Sequence, residues 1–147
     1  MKKISLVLAL VVFSALLAAC TQTEAPVAEP AAPLTADAVL TVGSVSYSQP
    51  ELETFTIAEV DFTNRDGETT TYSGVPLITL LEEANLTAAG ETLVFTAADD
   101  YEAELSLADA LACDKCIVAF DDGSLRMVMP EMPGNLQVKD VVEISVK

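Results

Sequence analysis

The fold of this chain is decided by one stretch, Tyr72-Ser73-Gly74-Val75-Pro76-Leu77-Ile78-Thr79-Leu80-Leu81-Glu82-Glu83-Ala84-Asn85. It contains a helix start, an amphipathic stripe and a helix stop in that order. Pro76 suits the first helical position, because its missing N–H would have no partner there and its φ is already helical. Gly74 lets the backbone turn sharply before the helix, and Asn85 can take the left-handed conformation that ends one. The stretch therefore predicts a short helix beginning at Pro76.

The apolar residues of this helix follow the spacing i, i+3, i+4, i+7. They are Leu77, Leu80, Leu81 and Ala84. This spacing places them on one face and leaves Thr79, Glu82 and Glu83 largely outside. The simplest interpretation is a core helix packed on a sheet.

Strand patterns dominate the rest of the C-terminal part. Alternating or β-branched runs occur at residues 39–42, 45–47, 57–63, 68–72, 92–96, 101–105, 116–120, 125–129 and 138–146. Residues 64–67 and 121–124 have the composition of hairpin turns. Ser48 and Glu51 have the form of a capping box before a short helix over residues 51–55, and Ser106 caps another over residues 107–111. Strand runs broken by short helices indicate an α+β fold with a mixed or antiparallel sheet.

The N-terminal residues 1–19 are predicted to be a lipoprotein signal peptide. Lys2 and Lys3 make a basic start, and the apolar run over residues 4–16 is shorter than the roughly 20 residues of a membrane-spanning helix. The Leu-Ala-Ala-Cys sequence ending at Cys20 resembles the bacterial lipobox, which implies cleavage before Cys20 and its lipidation. A chance cysteine in an ordinary signal peptide is the alternative. Thr21, in place of Asp, resembles outer-membrane sorting in a Gram-negative envelope; in other bacteria the protein would be anchored at the cell surface.

Residues 20–37 are predicted to be a lipidated N-terminus followed by a flexible tether. Their composition is rich in Ala, Pro, Glu and Thr, with prolines at 26, 30 and 33. Such a segment cannot bury enough apolar surface to offset its ordering entropy. Residues 38–147 are then long enough for one small domain.

The charge of the mature chain excludes several classes of function. Removal of Lys2 and Lys3 leaves five Lys and Arg against 23 Asp and Glu, a formal charge of 5 − 23 = −18. This field would repel nucleic acid and anionic lipid head groups. Solubility at the envelope is the simple interpretation, and a role facing cations is the alternative. The chain has no histidine, so nucleophile–histidine pairs, imidazole bases and His-ligated metals are excluded.

Seven motifs in order resemble the oxidoreductase molybdopterin-binding domain family of the sulfite oxidase type. They are Thr71-Tyr72-Ser73-Gly74-Val75-Pro76-Leu77, Leu80-Leu81, Asp100-Tyr101, Leu107, Asp122-Gly123, Leu125-Arg126-Met127-Val128-Met129-Pro130 and Val138-Lys139-Asp140-Val141-Val142-Glu143-Ile144. The resemblance covers residues 39–144. It implies a mixed α+β fold and, in full-length relatives, a molybdenum–pterin enzyme that moves oxygen atoms or electrons.

Several residues depart from the family pattern. The resemblance implies a metal-binding cysteine upstream of Gly74, yet residues 51–71 contain none. It also implies Arg, Lys and His around the pterin phosphate, whereas the mature chain has five cations, no histidine and Gln137 where the family has tryptophan. A phosphate without a basic cluster would be unfavourable in so acidic a domain. We therefore expect the fold to be retained and the cofactor lost; molybdopterin is implied by the resemblance alone.

Cys113 and Cys116 are the second chemical candidate. In an oxidising envelope, two cysteines three positions apart most often form a disulfide, which in so short a loop contributes only about 2 kcal/mol. A redox role is the alternative, and it would need a stabilised thiolate. Lys115 is one nearby cation, but Asp109 and Asp114 oppose it. Zinc would need four ligands, and haem attachment would need a histidine where Ile117 stands.

Three methionines and an acidic turn are weaker candidates. Met127, Met129 and Met132 suit either core packing or Cu(I) binding by soft sulfur. Asp121 and Asp122 suit a turn better than a calcium loop, because the later bidentate Glu of an EF-hand is missing. No metal site is expected.

Two hypotheses follow from these observations. The first is a non-enzymatic envelope lipoprotein, held at the membrane by its lipid, whose domain acts as a binding or interaction module for an envelope protein partner. The second is an oxidoreductase-related redox protein that uses Cys113 and Cys116 or an atypically bound molybdopterin. Enzymatic activity is left open, with no catalytic residue assigned.

Overall fold

The computed structural model describes residues 37–88 and 92–147. The predicted signal peptide, Cys20 and all of the tether before Asp37 lie outside the described residues. In chain order the elements are β1 (Ala38–Val42), β2 (Val45–Ser48), α1 (Gln49–Leu52), β3 (Ala58–Thr63), β4 (Thr69–Pro76), α2 (Leu77–Glu83), β5 (Thr92–Ala97), β6 (Glu102–Ser106), α3 (Leu107–Leu111), β7 (Ile117–Asp121), β8 (Ser124–Val128), a 3-10 turn (Gly134–Leu136) and β9 (Val141–Val146). None of these helices is long and apolar enough to cross a membrane.

The strands form two sheets. The larger has the order β2-β1-β9-β5-β6 and the smaller the order β3-β4-β7-β8. Neighbouring strands of the described residues pair antiparallel except β1 and β9, which pair parallel. The predicted α+β class with a mixed sheet is confirmed.

Both predicted hairpin turns are present. Gly67, with a φ of 84°, closes the β3–β4 turn, and Asp122 and Gly123, with φ of 43° and 89°, join β7 to β8. Two consecutive positive φ values match the right-handed twist of the flanking strands, which is why Asp-Gly is favoured there.

The start of helix α2 differs from the prediction. Gly74 and Pro76 belong to strand β4, which pairs with β7 as far as Pro76↔Ile117, so the helix begins at Leu77. Gly74 is not a turning point: a β-carbon there would lie 2.1 Å from the carbonyl oxygen of Val118. The residue is glycine because two backbones approach closely, not because the chain bends.

The amphipathic stripe and the helix stop are confirmed. Leu77, Leu80, Leu81 and Ala84 are all buried. Asn85 has a φ of 56°, and the N–H of Leu86 donates to the carbonyl of Leu81 at 2.8 Å. This is the left-handed helix end that the sequence predicted.

The bounds of two other elements were predicted wrongly. Helix α1 covers Gln49–Leu52 rather than residues 51–55. It ends early because the N–H of Thr54 turns back to the carbonyl of Glu51 at 3.0 Å and makes a tighter turn. Strand β9 begins at Val141 rather than at 138, because Asp140 has a φ of 50° and breaks the extended backbone. The residues before this break pair with β8 instead, through the N–H of Met127 and the carbonyl of Val138 at 2.7 Å.

The main hydrophobic core is built from buried side chains of both sheets and of α1, α2 and α3. Its largest fully buried side chains are Phe95, Leu40, Leu52, Leu77, Leu80, Leu81, Leu93, Met127, Met129, Ile144 and Val42. A second, smaller cluster lies on the four-stranded sheet and contains Val60, Ile117, Ala119 and Val128, with Ala58, Phe62 and Tyr72 packed against it. We call this second group the satellite cluster.

Candidate functional site

Strand β3 occupies the segment in which the family resemblance places a metal-binding cysteine. Its residues Ala58, Val60 and Phe62 pack into the satellite cluster. Val60 lies opposite Tyr72 of β4, so the two side chains share one face of the sheet. This face of the hairpin is therefore filled by aliphatic and aromatic side chains of the chain itself, and it presents no thiol.

Arg126 extends the satellite cluster at its polar end. Its guanidinium lies 4.8 Å from the centre of the Tyr72 ring. Nη1 donates to the Tyr72 hydroxyl at 2.9 Å and to Oδ2 of Asp121 at 3.1 Å, and the side chain is 12% exposed. Stacking and pairing offset part of the cost of taking the cation out of water, while Nε is buried with no hydrogen-bond partner among the described residues. The positive charge of Arg126 is therefore already paired with groups of the same sheet.

The other four cations lie in three places. The guanidinium of Arg65 lies against Gly134, where a β-carbon would be 3.1 Å from Nη2. Lys139 lines a polar depression of about 390 Å³ together with Asp99 and Asp140. Lys115 and Lys147 pair with Glu131 and Glu104 at exposed positions. Gly134 also lines the depression beside Lys139, so Arg65 and Lys139 lie at the same pocket, together with Asp99 and Asp140. In each of the three pockets described, a doubly charged phosphate would meet at least as many carboxylates as cations.

Cys113 and Cys116 form a disulfide, as their spacing predicted. Cys116 is 1% exposed, while Cys113 is half-buried and lines a small pocket with Lys115 and Glu131. The carbonyl of Cys116 accepts a hydrogen bond from the N–H of Leu77 at 2.8 Å. The bridge therefore holds the strand end that supports the first turn of α2.

The methionines belong to the core. Met127 and Met129 are completely buried, and Met132 packs against the same cluster at a half-buried position. Sulfur atoms enclosed among leucines act as packing groups. Asp121 and Asp122 lie in the β7–β8 hairpin, and no group of three or more metal-ligating side chains occurs in residues 37–88 and 92–147.

A cleft of about 670 Å³ opens on the larger sheet, beside the β7–β8 turn. Its walls come mainly from the start of β1, the start of β9, and Gly123 with the first residues of β8, Ser124 and Leu125. Gln49 and Ala98 line it as well. Two exposed valines, Val39 and Val142, line it, with 36% and 40% of their surfaces accessible. Its volume falls within the range of about 300–1,000 Å³ typical of small-molecule sites.

Both valines are the extra residue of a β-bulge. On β1, Ala38 and Leu40 pair with the consecutive residues Ser48 and Tyr47, so Val39 has no partner on β2. On β9, Glu143 and Val141 pair with Thr96 and Ala97, which leaves Val142 without a partner on β5. A bulge redirects a side chain that regular pairing would send to the other face. We call this site the bulge cleft.

Two carboxylates give the bulge cleft a negative charge. Asp140 and Glu143 line it, and neither forms an ion pair within the described part of the chain. The lining contains no cation, and its other polar side chains are those of Thr41, Gln49 and Ser124. The bulge cleft thus combines an apolar floor with a negative rim.

The bulge cleft was not predicted from the sequence. The available signal was a break in alternation, because Val141-Val142 and Val39-Leu40 each place two large apolar residues in succession. Such breaks also occur in fully buried strands, so they do not predict a site by themselves.

Comparison with known proteins identifies the family of this chain and a solved structure of similar fold. The family described as oxidoreductase molybdopterin binding domain matches residues 36–147. The sulfane dehydrogenase SoxCD from Paracoccus pantotrophus has a similar fold, with a TM-score of 0.61 and 18% sequence identity. The similarity covers 74% of this chain but only 37% of that one, so it concerns the fold alone. No curated protein matches this chain in sequence.

Proposed function

Since this chain belongs to the oxidoreductase molybdopterin-binding domain family, we propose that it keeps the family fold without the cofactor and serves as a binding module. A lipid on Cys20 holds this module at the bacterial cell envelope. In a Gram-negative cell it faces the periplasm from the outer membrane, and in other bacteria it lies at the cell surface. An envelope protein is the expected partner, and nucleic acid is not.

The main support for this proposal is that side chains of the protein itself fill the face of β3 on which a cofactor ligand is expected. Family resemblance implies a thiolate ligand for molybdenum in the segment that β3 and its flanking residues occupy. Here Val60 and Phe62 pack into the satellite cluster, and residues 51–71 contain no cysteine. The thiols of Cys113 and Cys116 are joined to each other in a disulfide. The described residues therefore do not fit a thiolate-bound molybdenum.

The distribution of charge supports the same proposal. A pterin phosphate needs several converging cations, because a buried anion without partners is costly. Arg126 is paired with Asp121, and Lys139 lies among Asp99 and Asp140. With a formal −18 on the mature chain, 5 − 23, the surroundings disfavour a further anion.

Metal analysis of the purified mature chain tests the cofactor proposal. The protein is produced in cells that make molybdopterin, alongside a molybdopterin enzyme as a positive control. We expect molybdenum far below one atom per chain and no pterin fluorescence after acid oxidation. About one molybdenum per chain together with pterin fluorescence would refute it.

The lipid anchor is tested separately. Cys20→Ser should move the protein from the membrane fraction to the soluble fraction and should abolish incorporation of labelled palmitate. Cys113→Ser is the matched control, because it removes a different cysteine. Unchanged membrane association of Cys20→Ser would contradict the anchor.

A redox function of Cys113 and Cys116 is the second candidate. It is favoured by the half-buried position of Cys113 next to the cation of Lys115. A reduction potential below about −300 mV, with no disulfide-exchange activity, would identify the bridge as structural. A potential near that of glutathione with measurable exchange would favour the redox function.

A further inference from the structure

We infer that the bulge cleft binds a small amphiphilic organic cation, a molecule with an apolar body and one protonated amine or quaternary ammonium group. This inference rests on the proposed function and specifies the ligand class of the binding module. It concerns a site on the larger sheet, whereas the family's cofactor cysteine is expected on the smaller one.

The apolar part of the inference comes from Val39 and Val142. A solvent-facing sheet surface normally carries few large apolar side chains. Here each of two adjacent strands has a bulge, and the bulged residue of each is a valine that lines the same cleft. Only four large hydrophobic side chains of the described residues are exposed, and these are two of them. An apolar body in the cleft would remove both from water.

The charge of the ligand is indicated by the rim. Asp140 and Glu143 line the cleft, neither forms an ion pair within residues 37–88 and 92–147, and no Lys or Arg lines it. Asp140 also borders the depression that Lys139 lines. An anion would be repelled by these two exposed carboxylates, and a neutral molecule would gain nothing from their charge. A cation placed at the edge of the apolar floor is attracted to both groups.

The chain's own tether is a poor occupant. It reaches the cleft at Ala38, but the segment before it carries Glu24, Glu29 and Asp37 and no cation. A second copy of the chain would bring the same acidic surface to the acidic rim. Both alternatives are opposed by like-charge repulsion.

Three probes with the same apolar body separate charge from hydrophobicity: 4-phenylbutylamine, 4-phenylbutanol and 5-phenylvalerate. Each is titrated into the mature full-length chain, with binding followed by calorimetry and by amide chemical shifts. We expect the amine to bind about threefold or more tightly than the alcohol and the carboxylate to bind weakest. The shifts should map to residues 38–41, 123–125 and 140–143.

Four variants assign the effect to the cleft. Val142→Ser or Val39→Ser should weaken binding of the amine about fivefold. Ile57→Ser is the matched control and should leave the affinity unchanged, because Ile57 is as exposed as Val142 but lies outside the cleft. Asp140→Asn keeps a residue that tolerates positive φ and should reduce the preference for the amine over the alcohol.

Several outcomes would overturn the inference. These are equal affinities for the three probes, shifts outside the cleft, or an equal effect of Ile57→Ser. Self-association of the chain through the cleft would also overturn it. So would a result in which no probe binds but shortening the tether changes the amide chemical shifts of the cleft residues. Metal analysis is independent of all these results, so a failed titration leaves the proposal of a cofactor-free module standing.

Discussion

Gly74 of β4 lies so close to Val118 of β7 that a β-carbon on residue 74 would be 2.1 Å from the Val118 carbonyl oxygen. The contact is made by two backbones, and Cα of Ala119 would be 2.5 Å away as well. Neither strand can yield easily, since both are central in the four-stranded sheet.

Gly74→Ala is therefore expected to lower the free energy of unfolding by about 3 kcal/mol or more, because backbone must move to admit the methyl group. The measurement is urea denaturation followed by circular dichroism. Gly67→Ala is the control: its φ is 84° but nothing lies within 4 Å of the added carbon, so it should cost only about 1 kcal/mol. Equal losses for the two variants would contradict the close approach of the strands.

Loss of the Cys113–Cys116 disulfide should destabilise the domain modestly. The loop that it closes has a sequence separation of 3, for which chain entropy gives about 2 kcal/mol. The double variant Cys113→Ser/Cys116→Ala avoids a buried hydroxyl at the fully buried position. Its unfolding midpoint should match that of the reduced wild-type chain. A midpoint equal to that of the oxidised chain would show that the bridge adds nothing.

Tyr47→Phe should leave the domain as stable as the wild type or make it more stable by about 1 kcal/mol. The Tyr47 hydroxyl is buried, and no hydrogen-bond partner for it occurs among the described residues; burial is also the main cause that raises its pKa. Removing an unsatisfied polar group relieves its desolvation cost. The edge-to-face contact with Phe55, at 5.8 Å between ring centres, is retained.

Tyr101→Phe provides the comparison for that variant. The Tyr101 hydroxyl is exposed and donates to the carbonyl of Asn135 at 3.1 Å, so its removal should be neutral or slightly destabilising. A clear loss of stability in Tyr47→Phe, larger than in Tyr101→Phe, would mean that the buried hydroxyl has a partner.

The carboxyl group of Glu51 should titrate below its usual range. The side chain of Ser48 donates to it at 2.6 Å and the Ser48 N–H at 2.7 Å, and these bonds lower the pKa. A lowered folded pKa means that the stabilisation is fully present above the unfolded pKa and is lost as pH falls through the folded one. Carbon-detected NMR titration measures it directly.

Ser48→Ala should raise the pKa of Glu51 toward its ordinary value, because the larger of the two causes is removed. Ser46→Ala should not move it, since Ser46 bonds to Thr41 on the neighbouring strand instead. A pKa that is unchanged in Ser48→Ala would leave the depression without its proposed cause.

Local features of this protein were predictable because each depends on residues a few positions apart. The stripe of α2, the left-handed Asn85, the Asp122-Gly123 turn and the Ser106 cap are of this kind, and each is present. The Cys113–Cys116 pairing also follows from local spacing. Turn formation, helix capping and helical periodicity depend on residues that are close together in the sequence, so they can be predicted from it.

The sequence by itself thus determined the α+β class, the family resemblance, the helix stripe, the turns and the absence of histidine chemistry. Only the tertiary structure decided why residue 74 is glycine, since the backbone that it meets is more than forty positions away in the chain. It also decided that Arg126 stacks on Tyr72, 54 positions distant, and that bulged Val39 and Val142 share one cleft. The physical reason is that strand register and pairing bring together residues whose separation along the chain carries no periodic signal.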